Sequence, residues 1–183
     1  MRRISIIVFM CSMAFVALSQ KDVITEEMCF EPNYTAEQFD EFKAKVVSNG
    51  DKESYNAMLY LRPSYERLPY SIIMAKKYGV IWANYMIYVE LTDIYKAAGI
   101  RMDSITFRYA LENLKMAADS GCILATGEMA RIYLYGEGVQ QDTVKAKGYY
   151  METLRISNWN EKTREKRWRK YISDYRRKVN DSE

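Results

Sequence analysis

The groups able to carry acid–base chemistry are two adjacent carboxylate pairs, Glu26-Glu27 and Asp40-Glu41. Carboxylate-only catalysis needs two such groups facing each other across the bond to be broken. Neighbours on a helix diverge by about 100 degrees, so neither pair converges on a substrate unaided, and both read as solvated. The chain has no histidine. Ser-His-Asp and Cys-His nucleophilic schemes are therefore impossible. The glycines of Gly136-Glu137-Gly138-Val139 lack the Lys-Ser/Thr that follows a phosphate-binding loop, and no strand pattern leads into them. Beyond Cys11 there are only Cys29 and Cys122, too few sulfur or imidazole ligands for zinc. A Cys29–Cys122 disulfide is permitted in an oxidising compartment. Two thiols, with Cys122 packed as a small apolar group, rank above it. These residues point to no catalytic activity, no cofactor, no metal and no small-molecule substrate.

The elements that place the remaining residues centre on 110–146, ALENLKMAADSGCILATGEMARIYLYGEGVQQDTVKA. Ala110, Leu114, Ala117 and Ala118 recur at helical spacing, as do Ala125, Met129, Ile132 and Tyr133. Ala117, Ala118, Gly121 and Ala125 are small enough for two helix axes to approach closely, the mark of a tight helical hairpin. Gly136 and Gly138 can stop a helix. Asp142 can cap the next one by accepting from a free backbone N–H.

The same residues resemble the Sel-one-like repeat, a relative of the tetratricopeptide repeat. Ala117, Ala118, Gly121 and Ala125 match its first part. Met129, Ala130, Tyr133, Gly136, Gly138 and Val139 match its middle, and Asp142, Lys145 and Ala146 its end. The resemblance implies helical hairpins stacked into a curved solenoid, an α/α superhelix, in a protein that binds other proteins and performs no chemistry. It also implies that the first helix of each repeat lines the concave side. That puts Trp82, Tyr85 and Val89 of one copy, and Leu124, Arg131 and Tyr135 of the next, on a partner-binding groove. Trp, Tyr and Arg are the usual anchors of interfaces.

A shift of 42 residues brings Ala75, Gly79 and Ala83 onto Ala117, Gly121 and Ala125. Tyr95, Gly99 and Ile100 then echo Tyr133, Gly138 and Val139, with three extra residues upstream, and Asp103 takes the capping part of Asp142. A weaker third copy places Thr153-Leu154 where Ala117-Ala118 stood. A period of this size signals a repeat array, and fading end copies are expected because terminal repeats face water. Tyr88 stands where Ala130 stands in the better copy. Its ring must widen the helix contact or point outward.

Length, 183 residues, bounds the chain to one domain. A hydrophobic content of 49% supports a core, and a formal charge of +3 is too small for a global nucleic-acid-binding field. Residues 1–19 read as a signal peptide: Arg2-Arg3, an apolar run from Ile4 to Leu18, and Ala17-x-Ser19 before a cut at Gln20. The run is shorter than the roughly 20 residues of a spanning helix, so an exported, periplasmic or secreted product is expected. Residues 20–35 form an extended leader, 36–157 the repeat domain with its clearest copies at about 69–103 and 104–142, and 158–183 a basic capping helix and tail. Thr35-x-x-Gln38 is a capping box for a helix over 36–48, ended by Asn49-Gly50. Further helices are predicted over 51–61, broken at Arg62-Pro63, then 69–78 beginning on Pro69, 81–97, 104–119, 122–135 and 143–156. No strand pattern occurs, so the class is all-α.

Two surfaces remain. Tyrosines 55, 60, 65, 70, 78, 85, 88 and 95 crowd one stretch. They serve either a binding face or packing between repeats, packing being the commoner use. From Glu161 to Lys178 there are nine basic and three acidic residues, while Trp168, Tyr171, Ile172, Tyr175 and Val179 share a face. This is an amphipathic helix that closes the solenoid. Its basic side faces solvent or, as the alternative function, meets anionic polymer or a membrane surface. The reading that follows is an exported interaction module or scaffold. Its partner is a protein or peptide, ranked above membrane and nucleic acid.

Overall fold

A computed structural model describes residues 34–180. The expected signal peptide, Cys29 with its disulfide alternative, and the Glu26-Glu27 pair lie outside the described residues. The described chain is all-α: α1 Ala36–Asn49, α2 Lys52–Leu61, α3 Ser64–Lys76, α4 Ile81–Ala97, α5 Ser104–Asp119, α6 Ile123–Tyr135, α7 Thr143–Ile156 and α8 Glu161–Asn180. Neighbouring helices pack in pairs, α1 on α2, α3 on α4, α6 on α7 and α7 on α8. This is the fold class expected from the 3.6-residue periodicity and the small residues at the turns.

The ends of the helices follow local chemistry. Gln38 N donates to Thr35 Oγ1 at 3.3 Å, and Thr35 N donates to Gln38 Oε1 at 2.8 Å, so the capping box of α1 is complete. Asp51 Oδ1 accepts from Ser54 N at 2.7 Å and starts α2. Arg62 and Pro63 are both extended and end it. Helix α3 differs from expectation. It begins at Ser64, with Pro69 inside it rather than at its first position. Pro69 lacks only the N–H that would bond the carbonyl of Tyr65, and Tyr65 is 66% exposed, where water can take that bond.

The chain divides into two compact units, one up to Met116 and one from Ala117. The division falls inside α5. In the first unit Phe39, Val46, Tyr55, Met58, Met74, Ala83 and Ile87 are buried. In the second, Ala125, Met129, Ile132, Leu134, Ala146 and Leu154 are buried, and Trp168 of α8 joins Leu134 and Ala146. Each large aliphatic side chain so buried stabilises by about 1.5–3 kcal/mol before entropy is counted.

The 42-residue period is a repeat in geometry as well as in sequence. Gly79 and Gly121 both have left-handed backbone, φ 67° and 87°. The residues after them, Val80 and Cys122, are buried helix N-caps with nearly equal angles: φ −72°, ψ 109° and φ −68°, ψ 111°. Ala83 and Ala125 are both wholly buried, as are Ile87 and Met129 within 1%. Asp103 Oδ1 accepts from the backbone N–H groups of Ile105 and Thr106, both at 3.0 Å. Asp142 Oδ1 does the same for Val144 and Lys145, at 3.0 and 2.9 Å. Tyr88, at the place of Ala130, is buried at 7% exposure, so its ring turns inward and not toward solvent.

Candidate functional site

The residues expected to face a partner lie on α4 and α6 and are treated by unit. On α4, Trp82, Tyr85 and Val89 follow one another at helical spacing and are all half-buried. The Trp82 and Tyr85 rings lie 5.6 Å apart, tilted by 34°. This ring pair offers apolar area with two polar tips at little entropic cost. On α6, Leu124 and Arg131 are half-buried and Tyr135 is 37% exposed.

Two of the α6 residues are already engaged. Arg131 closes a fork on two carboxylates: Nε and Nη2 reach Glu128 Oε1 at 3.1 and 2.6 Å, and Nη1 bonds Glu137 Oε1. Its pKa is raised above the ordinary value, first by the hydrogen bonds to Glu128. A partner carboxylate would have to displace both acids, so the guanidinium is a brace between α6 and the loop after it. Tyr135 meets the edge of Tyr175 on α8, with centroids 4.9 Å apart. Gln141 Nε2 ties the same place down, donating to Leu134 O at 2.7 Å and to Tyr175 Oη at 2.5 Å. The α4 triad sets two rings side by side, whereas the α6 triad offers the single ring of Tyr135 beside a committed guanidinium.

The Asp40-Glu41 pair is solvated and spent. Asp40 bonds Lys43, and Glu41 pairs with Lys45 at 2.7 Å. Glu41 and Lys45 line a cavity of about 500 Å³ with Tyr34, Phe42, Asp51 and Ser54. Asp51, the acid opposite, is occupied as the cap of α2. Helical spacing alone pairs Glu41 with Lys45, because an i,i+4 carboxylate and ammonium meet wherever the helix forms.

Sequence reasoning missed a buried polar cluster in the first unit. Glu90 of α4 is 0% exposed. Arg67 Nε stands 3.3 Å from its Oε1, outside hydrogen-bonding geometry, and neither carboxylate oxygen has a hydrogen-bond partner. Arg67 also donates to Leu59 O, and to Ser64 Oγ at 3.0 Å. Tyr55 Oη donates to Ser71 Oγ at 2.8 Å, with Tyr55 and Ser71 both buried. Burial pushes the Glu90 carboxyl up to about 7, while the Ser71 hydroxyl and the Arg67 guanidinium pull it down. Burial likewise pushes the Tyr55 phenol up. A signal for Glu90 was present: it lies 42 residues before Ile132, a wholly buried aliphatic, so a charge occupies a core position of the repeat.

Comparison of the chain with family models, with curated proteins and with solved structures finds no match. The site must be judged on its own geometry. Glu90 is sealed from solvent, Glu41 is exposed and paired with Lys45, and Asp51 is half-buried and holds the cap of α2. Among the described residues no group of His, Cys, Asp and Glu is arranged to hold a metal. No described helix is long and apolar enough to cross a membrane.

Proposed function

We propose that the chain is an interaction module of the Sel-one-like repeat kind, acting by surface complementarity and without catalysis. One observation carries the reading. The two copies agree where a repeat needs a turn, a cap or a small core residue, and differ on the half-exposed face of the first helix. Gly79 and Val80 repeat as Gly121 and Cys122 with matching backbone, Ala83 repeats as Ala125 with both wholly buried, and Asp103 repeats as Asp142 in capping the helix that follows. Trp82 and Val89 become Leu124 and Arg131. A constant scaffold with a variable face is how repeat proteins build recognition. The partner is a protein or a peptide segment, docked on the Trp82–Tyr85 rings of α4. The Arg2-Arg3 start, the apolar run and Ala17-x-Ser19 support export with cleavage before Gln20.

The test is photo-crosslinking in the native compartment. A photoreactive residue at 82 or 85 is expected to yield one defined adduct, and the same residue at 105, where Ile105 is 70% exposed on α5, is expected to yield none. Equal labelling from all three positions would remove the assigned face. Intact mass of the exported protein checks the leader: retention of residues 1–19 would overturn the export reading.

A further inference from the structure

We infer that α8 carries a second docking surface, a basic stripe that seats the protein on an anionic lipid bilayer. At 3.6 residues per turn, Lys162, Lys166, Arg169, Lys170, Arg176 and Arg177 fall within an arc of about 120 degrees, over about 22 Å of helix. All six are exposed, and between Lys162 and Arg177 the only other residue of that arc is Ser173. The helix's three acids lie off the arc. Glu165 is drawn to the flank by Lys147 of α7 at 3.0 Å, Asp174 is paired with Arg177 at 3.1 Å, and Glu161 sits at the N-terminal end. Arg167 is turned away, its guanidinium 3.8 Å from the Trp159 ring centroid. Lys162, Lys166, Arg169, Lys170 and Arg176 make no ion pair among the described residues, and all five are exposed.

Geometry selects the occupant. Charges stand along the middle of the arc as well as at its margins. A helix seated in a duplex groove meets phosphates on both flanks, where this helix carries its acids, Glu161 and Glu165 on one side and Asp174 on the other. A charged centre line on a straight helix instead matches a plane of phosphates touched tangentially. Insertion is excluded, because the apolar side of α8 is consumed within its own unit. Trp168 is buried with Leu134 and Ala146, and Tyr171 stacks on Tyr150 at 4.6 Å and 12°. The surface therefore reads charge and not hydrocarbon, as juxtamembrane basic segments do.

Flotation with phosphatidylglycerol–phosphatidylcholine vesicles at low salt tests this on the chain from Gln20 to Glu183. Binding is expected to the mixed vesicles, to vanish on pure phosphatidylcholine, and to weaken steeply as salt rises. Replacing Lys162, Lys166, Arg169, Lys170 and Arg176 by Gln should lower partitioning at least about a hundredfold while the melting curve stays in place. Ser173→Glu puts one negative charge in the centre of the stripe, and should lower partitioning in a chain otherwise unchanged. No binding to the mixed vesicles, or binding that survives both variants, would overturn the proposal. Tighter binding to duplex DNA than to the vesicles at equal salt would replace the bilayer with nucleic acid as the occupant.

Discussion

Gly50 lies against the ring of Tyr78, so closely that a Cβ added to it would run into the ring carbons. The contact ends α1. Gly50 takes φ 70° and ψ 37°, and its N–H returns to Val46 O at 3.2 Å. Tyr78, from the turn after α3, donates its hydroxyl to Val47 O at 2.8 Å, and Lys77 Nζ donates to the same oxygen at 2.9 Å. The carbonyl end of one helix is thus satisfied by a turn some thirty residues away in sequence, and only glycine leaves room for it.

Gly50→Ala should destabilise by about 2 to 4 kcal/mol, from left-handed backbone strain together with overpacking. Gly79→Ala is the control. Its φ is 67° and nothing lies within 4 Å of the added carbon, so only strain remains, about 1 to 2 kcal/mol. Urea unfolding of both variants measures the difference. Equal losses would mean that the Tyr78 ring yields freely.

The Glu90 carboxyl gives the fold a dependence on pH. Its folded pKa, about 7, stands above the ordinary 4.5 because burial disfavours the charged form. The stability it contributes is fully present below pH 4.5 and is lost as pH rises through 7. Over that window the loss is about 3 kcal/mol. Melting temperature should therefore fall from acid to neutral pH, and Glu90→Gln should flatten that slope. A slope unchanged by Glu90→Gln would place the titration elsewhere.

Arg67→Met should cost about 3 to 5 kcal/mol above pH 7, because it leaves a buried carboxylate without its cation. The double change Arg67→Met with Glu90→Ile, which copies Ile132 of the other repeat, should restore stability to wild type or beyond it. Thermal melts near pH 8 decide this. A double variant no more stable than Arg67→Met would mean that the apolar replacement cannot pack at this site.

Ala125→Leu or Ala130→Leu should destabilise by about 1 to 3 kcal/mol, since both alanines are wholly buried on α6. Leu differs little from Ala in helix propensity, so the loss reports packing. Melting as wild type would place that position away from a close helix contact.

Trp168→Ala with Tyr171→Ala should cost at least about 3 to 5 kcal/mol and expose the end of the second unit, because Trp168 is 8% exposed and Tyr171 is stacked on Tyr150. Calorimetry of this pair against the stripe variants of α8 separates the two faces of one helix: the aromatic face should hold the fold and the basic face should leave it unmoved.

Much of this protein is decided within five residues along the chain, and that part is written in the sequence. Thr35 caps α1 through Gln38, Asp142 caps α7 through Lys145, and Asp103 repeats that cap for α5. A cap needs only an acceptor beside a free N–H, so its spacing is visible wherever it occurs. Small residues recurring every 42 positions are legible in the same way, because each copy must solve the same turn. What only the tertiary structure decides depends on which distant groups arrive at a place. Pro69 could open a helix or sit in its second turn, and Pro63 with the open flank at Tyr65 selected the latter. Tyr135 reads as an anchor for a partner until Tyr175 of α8 meets its ring. Glu90 is an ordinary acid in one dimension. Packing of α4 against its neighbours removes its water, and a charge without water must either find a cation, as it does in Arg67, or take up a proton.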